Sequence, residues 1–529
     1  MNDFVTDEFD KLVSNIMEIE ETIFALEIET FEKTQKLIFQ AGIIQSEPLC
    51  LNIIDLILCA ISYNPFKRNI YRDLLSLFID PIKKHKTNPD IFYRHVPDQI
   101  SYNIFYRNGA IDLPTIDLVE PTFLCYFFPE YLKMKPDKFL EMKNMCLFVK
   151  NFIDSFSNEK HLLNLKEEKI DDEFLEIIKK DEIDMFLNYI SKYEIELGSS
   201  IDHSMFIYEY IPRIFNGIVS YIDYIAYWHS NEIFKYVILS KIKFQPQVYF
   251  YAIASRNVEV INILNDYNEI NFQKELCISY SINTHDIGLF EYMINNFNDI
   301  NSKDILLQSI LSNNIPLFIS YFEKHNSPQD DETLLYSSIS CNNFVIFRII
   351  CEKCPNIVNC NIGLMTLPQF LIQNDMNSYL QTILQNQKLN INNLGQEDCN
   401  LPAITALHSA VLNNNYNAVK LLLQRNDLDI NAVDSDNNET ALHFACKLKN
   451  SKIIRALIFN TKINMNAQSS LNMYFTRTPT DISLKSLDFS NFMYLRKNGG
   501  KISMLFTIYL LIVHIIILSF FYTIYILLK

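Results

Sequence analysis

The sequence predicts an all-α protein: a solenoid of helix-turn-helix repeats with short hairpin fingers, an N-terminal helical region before it and a single C-terminal transmembrane helix after it. Two observations indicate this architecture. Apolar helix patterns recur at intervals of 27 to 39 residues, and a segment of 27 residues near the C-terminal end contains no Asp, Glu, Lys or Arg. The length of 529 residues agrees with it, because a single hydrophobic core does not grow to that size.

Composition limits the classes of function. Hydrophobic residues make up 49% of the chain, which is enough to bury extensive surfaces. The net charge is −16 and no block of Lys or Arg interrupts it, so we expect no nucleic-acid partner. The chain has 9 glycines and lacks the glycine-rich motifs with which a backbone binds phosphates. We therefore predict no cofactor.

The cysteines indicate a reducing compartment. There are 11, and they are spread through helical patterns rather than concentrated in a short disulfide-rich domain. One Cys-x-x-Cys pair, Cys351 and Cys354, is followed by Cys360. Structural zinc sites have four ligands and usually two such pairs. We expect buried thiols at a helix end there, and no metal.

The segment from Ile502 to Leu528 is the strongest single signal in the chain. As a helix it spans roughly 40 Å, more than the ~30 Å hydrocarbon core of a membrane. Ile, Leu, Val and Phe account for 18 of its residues, so insertion into a membrane gains about 5–11 kcal/mol. A buried core helix fits poorly because the segment has no polar face. We interpret His514, near its middle, as a neutral imidazole; the alternative is a functional ionisable group.

Charged residues predict the orientation of this segment. Arg496, Lys497 and Lys501 precede it, whereas Lys529 alone follows it. We therefore expect a tail-anchored, single-pass protein whose repeats face the cytosol. The acidic N-terminus does not resemble a secretory signal. A lipid-anchor signal at Asn498-Gly-Gly500 is the rival interpretation, but it requires secretory entry and a polar spacer, and neither is evident.

The clearest repeats begin with Thr405-Ala-Leu-His-Ser-Ala410 and Thr440-Ala-Leu-His-Phe-Ala445, 35 residues apart. Each continues with a second apolar stretch and a short segment containing Asn-Ala. A third start reads Thr478-Pro-Thr-Asp-Ile-Ser483. Residues 400–495 thereby resemble ankyrin repeats, with the family's T-P-L-H-x-A opening, helix-turn-helix and finger. The resemblance implies an ankyrin-type fold that binds proteins.

Individual residues can be interpreted within this resemblance. Asn415 and Asn438 stand where the family has turn glycines, and Asn is the residue other than Gly that best tolerates left-handed geometry. His408 and His443 look like metal ligands or catalytic bases when each is considered alone. In ankyrin repeats this histidine makes structural hydrogen bonds, and we expect the same role here.

Degenerate copies of the repeat precede the clear ones. In each copy a polar turn rich in Asn is followed by an apolar pair, and three residues later by another apolar residue. This is the pattern of a helix-turn-helix array. The pairs are Ile233-Phe234, Val260-Ile261, Leu289-Phe290, Leu317-Phe318, Ile346-Phe347 and Tyr379-Leu380.

Part of this region supports a second resemblance. The carriers are Tyr221-Ile-Asp-Tyr-Ile-Ala226, Tyr251-Ala-Ile-Ala-Ser-Arg-Asn-Val-Glu-Val-Ile261 and Phe290-Glu-Tyr-Met-Ile294. Residues 170–300 look like the ankyrin-like domain of unknown function found in large protist families. Ser255-Arg256 stands where that family has Gly-Gly. The resemblance implies a repeat fold without an assigned activity.

The first 150 residues are predicted to be helical. An apolar seam with 3-4-3-4-3 spacing runs from Phe9 to Leu26 and indicates one amphipathic helix. Packing of this helix onto the following helices is the favoured interpretation, and a coiled-coil dimer is the alternative. Seven prolines between residues 80 and 140 predict turns and short helices.

These observations favour a binding protein over an enzyme. The chain lacks the motifs of zinc proteases, serine hydrolases and kinases. We predict domains at 1–150, 151–399 and 400–500, followed by the membrane helix 502–528. The predicted function is a membrane-anchored scaffold for a protein partner of unknown identity, without catalysis of its own. The alternative is an accessory subunit of a membrane enzyme or channel complex.

The finger between the two clearest repeats is the predicted binding site. Fingers of such arrays leave their tips free, and this one is acidic, so we expect a partner with basic side chains that also touches the inner helices. A solvated turn without a binding role is the alternative. The predicted site residues are Asp434, Asp436, Asn437, Asn438, Ser409 and Phe444.

Overall fold

The computed structural model describes residues 2–155, 172–201, 219–266, 274–297, 301–324, 332–399, 401–470, 476–503, 507 and 515–519. The fold is mostly helical, as the sequence predicts. The chain divides into two compact units. Unit 1 comprises Met1–Asn326 and Ser337–Phe347, and unit 2 comprises Ser327–Tyr336 and Arg348–Lys529.

Residues 2–155 of unit 1 are mostly helical, and the helices between residues 79 and 145 are short. Pro89, Pro121 and Pro136 each lie in the first turn of a helix, where the missing backbone N–H has no helical partner to lose. The prediction of turns and short helices in this region is therefore confirmed. The helices are Asn2–Phe24, Phe31–Gln40, Glu47–Tyr63, Arg68–Leu75, Ile79–His85, Pro89–His95, Gln99–Arg107, Pro121–Tyr126, Phe128–Met134, Pro136–Met145 and Leu147–Ser155.

The apolar seam of the first helix is buried inside unit 1. Ile16 is 1% exposed, and Ile23 is fully buried. The helix that carries them packs against Phe31–Gln40 and Glu47–Tyr63. The favoured interpretation, packing onto the following helices, is confirmed.

Helix pairs follow along the rest of unit 1. In each pair a first helix is joined by a tight turn to a second helix, which agrees with the predicted degenerate repeats. A further pair, Glu332–Ser340 with Phe344–Lys353, is divided between the two units. The pairs within unit 1 are Glu173–Lys179 with Ile183–Tyr193, Tyr221–Tyr227 with Asn231–Leu239, Val248–Ala254 with Val258–Asp266, Lys274–Asn283 with Ile287–Phe297, and Ser302–Leu311 with Ile315–Phe322.

The turns inside these pairs contain left-handed residues other than glycine. His229, Arg256 and His285 have φ of 59°, 60° and 54°, a region that is unfavourable for residues with a Cβ. Each side chain makes a hydrogen bond to the backbone of the next repeat. The bonds run from His229 Nε2 to Ser255 O at 2.8 Å, from Arg256 to Thr284 O, and from His285 Nε2 to Ser312 O at 2.9 Å.

Unit 2 contains the clear repeats. Its helix pairs alternate with short antiparallel hairpins. The strands are Asn361–Ile362 with Met365–Thr366, and Ser469–Ser470 with Thr476–Arg477. The helix pairs are Leu367–Gln373 with Asn377–Leu384, Ala406–Leu412 with Tyr416–Leu422, Ala441–Lys447 with Ser451–Phe459, and Pro479–Lys485 with Phe489–Lys497.

One predicted turn residue is wrong. The left-handed residue between the helices of the first clear repeat is Asn414, with φ 53°, and not Asn415, whose φ is −84°. Asn415 instead caps the second helix, since its side-chain oxygen accepts a hydrogen bond from Ala418 N at 2.9 Å. The prediction for Asn438 is confirmed by its φ of 51°.

Within the described residues, we find no single helix with the length and apolar composition needed to cross a membrane. The helix Glu47–Tyr63 together with Pro65–His85 meets the requirement, but the pair is bent by 114°, and most of Glu47–Tyr63 is buried. The predicted span Ile502–Leu528, including His514, lies mostly outside the described residues. Residues 515–519 of it are helical.

Candidate protein-binding site

Hairpin fingers connect successive helix pairs in the described part of unit 2. Two of them are two-stranded, and two close through single bridges, Gly395 with Ile404 and Val433 with Thr440. Backbone hydrogen bonds join neighbouring fingers, so the fingers form a continuous ribbon. These bonds run from Gln396 N to Leu364 O at 2.9 Å, from Ser435 N to Ala403 O at 2.9 Å, and from Ser470 N to Asn437 O at 2.7 Å.

Asp434, the first residue of the predicted acidic site, lies inside its finger. It is 1% exposed, and its Oδ1 accepts a hydrogen bond from the backbone N–H of Glu439 at 2.6 Å. The carboxylate therefore holds the two sides of the hairpin together. Glu439 is buried as well, and its carboxylate pairs with Lys447. Burial leaves neither carboxylate at the tip of the finger.

The tip consists of the residues between these two carboxylates. Asp436 and Asn438 are exposed, and Asn437 is half-buried. Asn437 and Asn438 also connect to the next finger, because Asn438 Nδ2 donates to Ser470 Oγ at 2.9 Å and Asn437 O accepts from Ser470 N. Of the predicted acidic pair, Asp436 is the carboxylate that a partner can reach.

The two predicted inner-helix residues, Ser409 and Phe444, also differ in their exposure to solvent. Ser409 is fully buried, and its hydroxyl donates to Glu397 Oε1 at 2.6 Å. Phe444 is half-buried. Its ring lies 5.2 Å from the ring of His408, and Lys447 Nζ lies 5.2 Å from its centroid. Phe444 thus presents an aromatic edge beside a cation.

Sequence reasoning missed a row of aliphatic side chains on the fingers. Four of them are 39–53% exposed on three successive fingers. An isolated leucine in a finger cannot be told from a core position by periodicity, although neighbouring residues such as Gly363 and Gly395 were a usable sign of a turn. Exposed aliphatic tips beside exposed carboxylates suit protein binding. The row consists of Leu364, Leu394, Leu401 and Val433.

The motif histidines occupy structural positions, as predicted. His408 Nδ1 accepts a hydrogen bond from the backbone N–H of Thr405 at 3.3 Å and lies 2.8 Å from the Thr405 hydroxyl, while Nε2 donates to Glu439 O at 3.0 Å. His443 repeats this arrangement one repeat later. Burial lowers the pKa of His408 to about 4 and also lowers the pKa of His443, so both imidazoles are neutral at physiological pH.

Other residue types fill the same position in other repeats, which the sequence reasoning did not recognise. Gln369 Oε1 accepts from Thr366 N at 2.8 Å, and its Nε2 donates to Ile404 O at 2.8 Å. Asp481 accepts from Thr478 N at 2.9 Å. His, Gln and Asp all accept a hydrogen bond from the backbone N–H of the threonine at the start of the helix. The residue at this position therefore caps the helix. The position also extends the recognisable repeat upstream to Thr366.

In unit 1 the turns of the repeats are covered by the N-terminal helices. Glu20 Oε1 accepts a hydrogen bond from His285 Nδ1 at 2.7 Å, and both side chains are at most 4% exposed. Phe24 stacks on the imidazole with ring centroids 4.1 Å apart. Burial alone would lower the pKa of His285, but Cys59 and the Glu20 carboxylate raise it to about 10. Burial also raises the pKa of Glu20, and contact with His285 opposes this rise. Because the two groups lie 2.7 Å apart, we treat them as a buried ion pair.

Asn52 makes a second contact of this kind. It is 1% exposed within an otherwise apolar helix. Its Oδ1 accepts from Phe344 N at 3.1 Å, its Nδ2 donates to Asn343 Oδ1 at 3.3 Å, and its backbone carbonyl accepts from Asn313 Nδ2 at 3.0 Å. Unsatisfied polar groups are costly inside a protein, so this network fixes the N-terminal helices on the repeats. These turns of unit 1 are not open to a partner.

A polar cavity of about 440 Å³ lies beside this contact in unit 1. Asp55 and His95 line it, and Asp55 Oδ2 lies 2.7 Å from His95 Nδ1. Burial raises the pKa of Asp55. The pair joins the helices Glu47–Tyr63 and Pro89–His95, which gives it a structural role.

The cysteines near the predicted helix end are thiols in a largely buried setting. Cys351 and Cys354 are buried, and Cys360 is half-buried. Burial raises the pKa of Cys351 and raises the pKa of Cys360 to about 12, which disfavours the thiolates that bind metals. In the part of the chain that the structure describes, no three His, Cys, Asp or Glu side chains come together as a metal site.

A comparison with protein-family models agrees with the geometry of the clear repeats. A family model described as ankyrin repeats in three copies matches residues 369–469. Among solved structures, the ankyrin repeat domain of Bcl-3, described as a unique member of the IkappaB protein family, matches with 18% sequence identity. That match covers 37% of this chain and 86% of that chain, with a TM-score of 0.31. No curated protein matches.

Proposed function

We propose that this chain, whose residues 369–469 match ankyrin repeats, is a scaffold that binds a protein partner through the fingers of unit 2 and is held on a membrane by its C-terminal segment. We propose no catalytic role for the chain. The observation that supports partner binding most directly is the ribbon of fingers, whose tips carry exposed aliphatic and acidic side chains together.

The proposed binding site differs in part from the six predicted residues. It comprises Asp436, Asn438 and Phe444 together with the aliphatic row, of which Leu401 is 51% exposed and Val433 is 39% exposed. Asp434 and Ser409 act behind this surface by holding the hairpin and Glu397 in place. Aliphatic groups supply the contact area, whereas the exposed carboxylate of Asp436 favours a partner with basic side chains.

Membrane attachment is proposed from the segment Ile502–Leu528. It contains no charged residue. In its described part, the side chains from Ile515 to Leu518 are 46–63% exposed. Four consecutive exposed aliphatic residues are unfavourable in water and favourable in lipid. The orientation with the repeats in the cytosol is proposed from Arg496, Lys497 and Lys501.

Site-specific cross-linking tests the binding site. A photoreactive amino acid is placed at Leu401 or Val433 in the full-length chain, and at Leu239 as the control, since Leu239 is 82% exposed in unit 1. We expect one partner to be captured from the two finger positions and not from Leu239. Capture of the same proteins from all three positions would show that the fingers hold no specific site.

Protease treatment of intact vesicles tests the membrane proposal. With the repeats in the cytosol, a tag at the N-terminus is digested from outside the vesicles, while the C-terminal segment stays with the membrane after a salt wash. Survival of the N-terminal tag contradicts the orientation. Release of the whole chain by the salt wash contradicts the anchor.

A further inference from the structure

The backbone before the apolar segment is fixed to the last repeat of unit 2. Lys501 N donates to Asn466 Oδ1 at 2.7 Å, and Lys501 O accepts from Thr478 Oγ1 at 2.8 Å. Ser503 N donates to Asp481 Oδ1 at 3.0 Å. The apolar segment begins at Ile502, directly after Lys501, so its first residues are attached to the repeat. Because an extended residue spans at most ~3.6 Å, a membrane that receives this segment must lie close to the repeat.

The second helix of this repeat, Phe489–Lys497, exposes apolar side chains. Phe489 is 60% exposed and Met493 is 64% exposed. They are four residues apart and share one side of the helix with the exposed Arg496 and Lys497, which follow one turn later. We call these four residues the basic-apolar stripe. Terminal helices of repeat arrays usually present a polar outer face, so an apolar stripe here requires an explanation.

The charge of this region is opposite to that of the chain. Residues 485–501 contain four cations, Lys485, Arg496, Lys497 and Lys501, against one anion, Asp488, a local net charge of +3 in a chain of −16. Asp488 is engaged within the helix, where its carboxylate accepts hydrogen bonds from the backbone and side chain of Asn491. Clustered Lys and Arg next to a membrane segment attract anionic lipid head groups.

We propose that the basic-apolar stripe lies on the membrane surface, with Phe489 and Met493 in the interface and the cations against anionic lipid head groups. The proposal rests on the proposed membrane anchor and adds to it: the last repeat itself binds lipid. Helices that combine an apolar stripe with cations bind membrane interfaces in this way. The contact would hold the repeats of unit 2 at a fixed distance from the bilayer.

Tryptophan fluorescence in vesicles tests the contact. The full-length chain has a single tryptophan, Trp228, so an introduced one is readily compared with the parent. Phe489→Trp is reconstituted into vesicles of phosphatidylcholine with and without phosphatidylserine, each containing brominated lipid as a quencher. Leu239→Trp serves as the matched control, because Leu239 is also largely exposed but lies in unit 1.

We expect the tryptophan of Phe489→Trp to be quenched several-fold more than that of Leu239→Trp, and more strongly when phosphatidylserine is present. Adding Lys485→Gln and Lys497→Gln should remove the dependence on phosphatidylserine. If the chain floats with the vesicles but Phe489→Trp is quenched no more than the control, the stripe does not bind lipid and the proposal is wrong. If the chain does not float with either kind of vesicle, the anchor and the stripe are both wrong.

Discussion

The repeats of unit 1 and those of unit 2 have the same helix-turn-helix plan but differ in what covers them. In unit 1 the turns at His285 and Asn313 are covered by the chain's own N-terminal helices, through Glu20 and Asn52. In unit 2 the corresponding turn residues Asn414 and Lys449 are exposed, and the fingers present side chains such as Leu401 to solvent. A repeat whose turns are covered by its own chain serves stability, whereas an uncovered one is available for binding.

The histidines of the two units differ in pKa. His285 in unit 1 faces a buried carboxylate, and its pKa is raised to about 10. His408 in unit 2 faces the Thr405 cap and a backbone carbonyl, and burial lowers its pKa to about 4. The same side chain is thus charged in one unit and neutral in the other because of its hydrogen-bond partners. Unit 1 is not uniform in this respect, since burial also lowers the pKa of His229.

The largest expected effect comes from breaking the buried ion pair of unit 1. His285→Gln leaves the Glu20 carboxylate buried without a cation, so the free energy of unfolding of unit 1 should fall by about 3–5 kcal/mol. Hydrogen exchange of peptides from each unit measures this separately. His229→Gln is the control, because His229 makes its hydrogen bond to a backbone carbonyl and not to a carboxylate. Adding Glu20→Gln should recover part of the loss; no recovery would argue against the ion pair.

The second prediction concerns the buried carboxylate of the unit 2 finger. Asp434→Ala removes the acceptor for Glu439 N–H, so unit 2 should lose about 1–3 kcal/mol of stability while unit 1 is unchanged. The sequence alone led us to place Asp434 at the free tip of the finger. Hydrogen exchange at residues 433–440 is the measurement. Unchanged protection from exchange at these residues would indicate that Asp434 does not hold the hairpin together and lies at the exposed tip.

The third prediction uses pH. Because burial lowers the pKa of His408 below its ordinary value of 6.5, its stabilising contribution is complete above pH 6.5 and is lost as the pH falls towards 4. His408→Gln does not titrate, and Gln369 makes the same hydrogen bonds in its own repeat. Relative to the parent, the variant should gain about 2 kcal/mol of stability between pH 7.5 and pH 5. A difference independent of pH would contradict the neutral, buried imidazole.

The smallest expected change in stability is at the exposed tip. Asp436→Asn should alter the free energy of unfolding of unit 2 by no more than about 0.5 kcal/mol, as for ordinary surface substitutions. It should slow association with the cross-linked partner, most visibly at low salt, because exposed charges act mainly on the association rate. Binding kinetics at two salt concentrations give the answer. An unchanged association rate removes Asp436 from the binding site.

The binding site shows where sequence reasoning stopped. The finger that contains Asp434 was located from the repeat starts at Thr405 and Thr440, since the repeat fixes the spacing. Which of its carboxylates is exposed was not predictable, because Asp434 and Asp436 are both acidic residues in a polar turn. The hydrogen bond from Glu439 N distinguishes them, and it exists only once the hairpin has closed. The aliphatic row was missed for the same reason, since exposure is a property of the assembled ribbon.

The sequence by itself determined the helical class, the ankyrin repeats of unit 2, the structural role of His408 and His443, and the packing of the first helix onto its neighbours. These features depend on periodicity and on contacts between residues close in the chain or one repeat apart. The tertiary structure alone decided that the N-terminal helices cover the repeats of unit 1. Contacts such as Glu20 with His285 join residues 265 positions apart. No local pattern encodes such a contact, because its free energy arises only when both groups leave water together.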